Sequence, residues 1–216
     1  MQVVLSHFTK HPDTHMMNLL NIDSVNPFLL ALQPVRKRGS LKLQSITHND
    51  DYFAFKTPVM TTPFGITQFD EDSDLKLVLE FDDTDDDHRV FRQMLTEVHE
   101  QLAKSAPCEP IVKQHAVYGD RVEVKLDVKD ITDFRPIRDL EGNRVYEIPR
   151  RARVRAVVHV DYLWLRPDKC GIKLKCKLLQ LVSLQQTIRE PSPEVGDPDE
   201  VFAPTAAPPT PASLPA

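Results

Sequence analysis

Alternation with a period of two runs through the middle of the chain. Leu75, Leu77, Leu79 and Phe81 share one side of an extended segment and Lys76 and Glu80 the other. Val122, Val124, Leu126 and Val128 alternate in the same way with Arg121, Glu123, Lys125, Asp127 and Lys129. Successive side chains on a strand point to opposite faces, so this spacing predicts half-buried strands. Residues 41–47 and 52–56 are weaker candidates, and residues 153–165 with their return over 172–182 are the clearest. One stretch departs from the rule: Val90, Phe91, Met94, Leu95, Val98 and Leu102 follow helical spacing. Thr84 and the acids 85–87 before them suit a helix start, and the helix should end before Pro107. Residues 19–32 are apolar but cut by Pro27, which leaves room for short turns only.

Five or six strands interrupted by one helix predict a mainly β fold, an OB-fold-like small barrel of about five strands with one inserted helix. A β-sandwich is the competing architecture. The last 26 residues, 191–216, hold eight prolines among small and acidic residues, a composition that buries too little apolar area to offset the entropy of ordering it. The expected organisation is an N-terminal arm over 1–40, one OB-like domain over 41–189 and a disordered Pro-rich tail over 190–216.

Charge changes this picture because it is segregated. The formal net charge is -5, yet residues 70–87 carry ten carboxylates and one lysine, whereas residues 144–189 carry eleven Lys/Arg and three carboxylates. In the long hairpin, Val154, Ala156, Val158, Val160, Tyr162 and Trp164 form one face. Pairing Trp164 with Ile172 sets apolar against apolar, and puts Asp161 opposite Lys175 and His159 opposite Lys177. That register gathers Arg153, Arg155, Lys173, Lys175 and Lys177 on one surface, with Arg150 and Arg151 at its end and Arg166 and Lys169 in the turn. Basic residues at alternate strand positions are often only a solvated sheet face; the clustering is what favours a polyanion backbone. Phe53 and Phe55 are the candidates for stacking on bases. Tyr162 and Trp164 are further candidates, but they fall on the core face in this register and serve only if the barrel is open at that end.

Two segments carry a resemblance. Residues 57–66, Thr-Pro-Val-Met-Thr-Thr-Pro-Phe-Gly-Ile, and residues 160–164 through 171–180, around Tyr162, Trp164 and Gly171, resemble single-stranded-DNA-binding proteins of large eukaryotic DNA viruses. That family is distantly similar to the OB-fold replication single-strand binders of short-tailed bacteriophages. The resemblance covers residues 40–182 loosely. It implies a non-enzymatic, sequence-independent single-stranded-DNA-binding protein acting in viral DNA replication, recombination or repair. The phage relatives end in an acidic tail closed by an aromatic residue that recruits replication enzymes. Here Glu194, Asp197, Asp199 and Glu200 precede Phe202, but fourteen residues follow, which departs from that pattern and suits a solvated linker better. The alternative from another class is a structural or assembly protein whose sheet face binds an acidic partner.

Catalytic chemistry finds little footing. His7, His11 and His15 recur at metal-like intervals, but Pro12 and the lack of apolar periodicity oppose a helix there. The acids Asp82, Asp83, Asp85, Asp86 and Asp87 evoke a two-metal nuclease, but consecutive acids in one loop seldom converge on an ion. Cys108, Cys170 and Cys176 show no paired spacing and no His suited to activate a thiolate. No phosphate loop or dinucleotide fingerprint occurs. The expectation is no enzyme, no cofactor and no metal. No apolar run would span a membrane and no secretory signal is legible, so an intracellular reducing compartment is expected: the host nucleus or a cytoplasmic replication site if the protein is viral. A homo-oligomer stays open.

Overall fold

The computed structural model describes residues 19–184 apart from positions 69, 72, 115, 117, 118, 129, 132, 133, 135 and 136. The histidines at 7, 11 and 15 and the tail around Phe202 lie outside the described residues. In chain order the strands begin with β1 (Leu19–Leu20), β2 (Leu30–Leu32), β3 (Arg36–Arg38), β4 (Leu41–His48), β5 (Asp51–Tyr52), β6 (Ala54–Lys56), β7 (Met60–Thr62), β8 (Ile66–Thr67) and β9 (Lys76–Glu80). Helix α1 (Asp86–Ala103) follows, then β10 (Val112–Lys113), β11 (Arg121–Lys125), β12 (Ile137–Arg138), β13 (Ala152–Leu165) and β14 (Cys170–Leu184).

Five of these strands close a ring. β13 pairs β7, β7 pairs β9, β9 pairs β11, β11 pairs β14, and β14 returns to β13. Every pairing in the ring is antiparallel except β11 with β14. The fold is therefore mainly β, an OB-fold-like closed barrel of five strands with one helix, and closure removes the open edges of a five-stranded sheet. The interior is filled by the alternating positions read from the sequence: Leu77, Leu79, Val122, Val124, Val154, Ala156, Val158 and Val160 are all buried.

Helix α1 starts where the acids predict. The Asp85 carboxylate accepts the backbone N–H groups of Asp87 (2.9 Å) and His88 (3.3 Å), satisfying donors that the first turn leaves without a partner. Phe91, Met94, Leu95, Val98 and Leu102 turn into the core, and Phe91 packs against Phe55 and Phe81. Val90, counted on that stripe from the sequence, is 44% exposed. The other acids are engaged locally: Asp82 accepts from Thr84, Asp83 and Asp120 pair with Arg92, and Asp86 pairs with Arg89. Among the described residues no group of side chains is arranged to hold a metal ion, and no helix is long and apolar enough to cross a membrane.

Residues 19–38, expected in an N-terminal arm, pair into the sheet. β1 adds in parallel to β6, and β2 and β3 both pair with β4. Segments of two or three residues are too short for alternation to register, so pairing here is a tertiary outcome. The segment at 57–66 is likewise structural. The Thr57 hydroxyl accepts the Ala156 N–H (3.0 Å) and donates to the Pro58 carbonyl (2.8 Å). Gly65 has φ +70°, and a Cβ there would sit 2.3 Å from the Ile148 carbonyl oxygen, so only glycine fits.

Candidate nucleic-acid interface

The hairpin β13–β14 does not keep the uniform register expected from apolar matching. Its ladder shifts three times, between Arg153 and Val154, Val157 and Val158, and Val160 and Tyr162. Asp161 is the extra residue of the last shift, a β-bulge that reverses which side chains face inward beyond it. Without it, Tyr162 and Trp164 would enter the core and Leu163 would face water. With it, Leu163 is fully buried, while Tyr162 stands opposite Lys173 and Trp164 opposite Gly171. His159 faces Lys175 rather than Lys177. The placement of Tyr162 and Trp164 in the core is thus corrected.

These two rings line an open groove of about 430 Å³ on the outside of the barrel, together with Lys113, Lys125, Arg166, Lys169, Lys173 and Leu41. Three acids, Asp74, Glu109 and Glu123, also border it. The Lys173 ammonium lies 5.5 Å from the Tyr162 ring centroid and the Arg166 guanidinium 5.9 Å from that of Trp164, within cation–π range. Gly171 makes the Trp164 position available: a Cβ on it would lie 2.6 Å from Trp164 Cζ2. The ring can fold across the neighbouring strand only because that residue has no side chain.

The basic residues fall into two classes. Lys173 and Lys175 both pair with Asp127, which sits just past β11 at φ +58°. Burial pushes the Asp127 carboxyl upward, but the bonds from the two lysines outweigh it and hold it below the usual carboxylate range. Burial likewise pulls Lys173 down, and Asp127 more than restores it. Among the described residues Lys177 has no such partner, and burial followed by Lys175 lowers its pKa. Arg166 and Lys169 are exposed in the turn, and no carboxylate pairs with them among the described residues.

The expected single surface divides in two. Arg150, Arg151, Arg153 and Arg155 sit at the opposite end of β13; from Tyr162, Arg155 is seven residues and Arg153 nine residues away, roughly 23 and 30 Å along a strand. Val157 and Leu178 pair between them and the groove. Phe53 and Phe55 are 0% exposed and pack on each other, with Phe55 also against Phe91. No ring face is open to a base, so both are corrected from stacking platforms to core residues: two residues apart on an extended segment, they share one face, and Phe91 of α1 packs against it.

Other residues in or beside the groove escape sequence reasoning. β3 pairs with β4 so that Arg36 stands opposite Leu43, which is itself opposite Trp164. Arg36, Leu43, Trp164 and Gly171 therefore form one row on one face. The run Arg36-Lys37-Arg38 ahead of Gly39-Ser40 is a legible signal, a basic segment entering a hairpin turn. Lys113 and Lys125 carry no signal, since only closure of the barrel brings them to the groove. The thiols offer no nucleophile: burial pushes Cys176 up to about 12, and burial followed by Cys170 pushes Cys108 to about 11.

No family model matches the chain, and no curated protein matches it. Among solved structures it is similar to the crystal structure of gp2.5, a single-stranded DNA binding protein encoded by bacteriophage T7. The identity is 13%, over 75% of this chain and 100% of that one, with a TM-score of 0.45. It is also similar to the single-stranded DNA-binding protein from bacteriophage Enc34 in complex with ssDNA, at 12% identity over 70% of this chain and 95% of that one, TM-score 0.45. Both of those are phage proteins. At this level of likeness the groove has to be judged on its own residues.

Proposed function

We propose that this chain is a non-enzymatic protein that binds single-stranded DNA without sequence preference in the groove that the β13–β14 hairpin forms with β10, β11 and Leu41. One observation carries the reading: Tyr162 and Trp164 line the same groove as Lys113, Lys125, Arg166, Lys169 and Lys173, of which Lys173 alone has a carboxylate partner among the described residues. Aromatic faces accept any base, and ammonium and guanidinium groups beside them meet the backbone phosphates, which is the combination that sequence-tolerant single-strand binding needs. Duplex DNA keeps its bases stacked inside, so the rings favour the single strand.

The finer reading follows the motif resemblance: a role in DNA replication, recombination or repair, in a viral setting, at a host nuclear or cytoplasmic replication site. The acidic residues before Phe202 then serve as a contact for replication enzymes, with residues 190–216 acting as a tail to the folded domain. A fluorescence titration with oligo-dT at low and moderate salt tests the core of this. Affinity should fall steeply with salt and exceed that for duplex of equal length. Equal affinity for both, or no binding at low salt, overturns it.

A further inference from the structure

The ribbon made by β3 and the start of β4 offers the groove only one of its two faces. Arg36 and Arg38 stand opposite Leu43 and Leu41, on the Trp164 side; Lys37 and Lys42 stand opposite each other on the other side. Both lysines are exposed. Like charges directly across a ladder weaken the ribbon that carries them, and among the described residues neither lysine has a carboxylate partner. The turn is Gly39-Ser40, with Gly39 at φ +62° and nothing within 4 Å of where a Cβ would stand. The tip therefore stands clear of the barrel. Among the described residues β3 has no ladder partner other than β4, so the ribbon's outer edge is open as well.

A single strand lying along Trp164 and Tyr162 meets Arg36 and Arg38 and cannot also reach the opposite face. A two-stranded ribbon basic on both faces instead fits a duplex groove, whose two walls are lined with phosphates. We propose that the β3–β4 ribbon engages duplex DNA adjoining the bound single strand, so that the preferred ligand is a single-strand/duplex junction. This rests on the reading of the groove as the single-strand site.

The test compares, by fluorescence anisotropy on the full chain, a dT tract, the same tract joined to a hairpin duplex, and the duplex alone. Two further neutralised phosphates steepen the salt dependence by about 1.8 in log-log slope, so the junction's advantage should shrink about tenfold between about 50 and about 200 mM salt. The Lys37→Gln/Lys42→Gln double variant should bind dT as the parent does and lose the junction's advantage. A parent that binds dT and junction equally, or a double variant weakened equally on both, overturns the junction proposal alone. No binding to dT overturns the groove reading and this proposal with it.

Discussion

From Val154 to Val160, strand β13 puts alternate residues into the barrel, and the residues facing the other way are Arg155, Val157 and His159, the last of them covered by Tyr52. From Tyr162 to Trp164 the same strand sends its two aromatic rings outward and a leucine inward. One bulged residue, Asp161, separates the halves. A strand's two faces are interchangeable until register is set, and a single inserted residue exchanges them. The cost of placing aromatics on the surface is offset where they have a neighbour to lie against, here the bare backbone at Gly171.

The largest expected effect breaks the comparison directly. Leu163→Ala removes a fully buried side chain and should cost about 2–5 kcal/mol of stability in denaturant unfolding, whereas Trp164→Ala, at a half-buried groove position, should cost less. Reversed magnitudes would return Trp164 to the core and sink the bulge assignment.

Binding reads the same pair from the other side. Trp164→Ala and Tyr162→Ala should each weaken oligo-dT affinity by about 1–3 kcal/mol, with folding retained by circular dichroism. Gly171→Ala should lift the indole off its seat, and because the chain holds one tryptophan, the displacement is readable in intrinsic fluorescence. Unchanged emission and unchanged affinity in Gly171→Ala would mean the ring does not depend on that seat.

Smaller effects sharpen the contrast between paired and unpaired cations. Arg166→Gln with Lys169→Gln should lower the salt slope by about 0.7 for each phosphate no longer neutralised, at constant melting temperature. Lys173→Gln with Lys175→Gln should instead lower the melting temperature, because Asp127 is left half-buried without its partners. A pure slope change in the second variant would show that those lysines are held for DNA rather than for Asp127.

The smallest effect is in pH. Burial lowers the His159 pKa, against a partial rise from Asp161, while Lys177 and Lys175 lower it further; its ring sits at the edge of Tyr52. The unfolded chain then binds a proton that the folded one refuses. Stability is full above the ordinary histidine value of 6.5 and is lost as pH falls from there toward the folded pKa. Melting curves between about pH 7.5 and 5.5 should show that loss, reduced in His159→Gln; an unchanged pH dependence in the variant would clear His159 of the effect.

Much of the barrel is legible in the sequence because its long strands show a clean period of two. Leu77 with Leu79, and Val122 with Val124, face inward as their spacing requires, and helix α1 begins after the Asp85 cap and buries its apolar stripe apart from Val90. The short strands β1, β2, β3, β7, β10 and β12 are not legible, since two or three residues cannot display a period and their pairing is decided by partners remote in sequence. The groove is half legible. Arg166, Lys169 and Lys173 follow from the clustering of charge and line it. Phe53 and Phe55 are exchanged with Tyr162 and Trp164: the first pair is core and the second pair is at the surface, because alternation alone does not count bulges.

Composition and alternation by themselves determined the mainly β class, the single helix and the basic character of residues 144–189, because these depend on local spacing and local charge. The face on which each ring stands, the capture of Lys173 and Lys175 by Asp127, and the meeting of Lys113, Lys125, Arg36 and Arg38 around Trp164 were decided only by tertiary structure. Register depends on the sum of interactions along both strands, and a bulge that costs little locally is chosen when it buries Leu163 and lets Trp164 lie on Gly171. Ring closure then brings together cations that no stretch of sequence holds side by side.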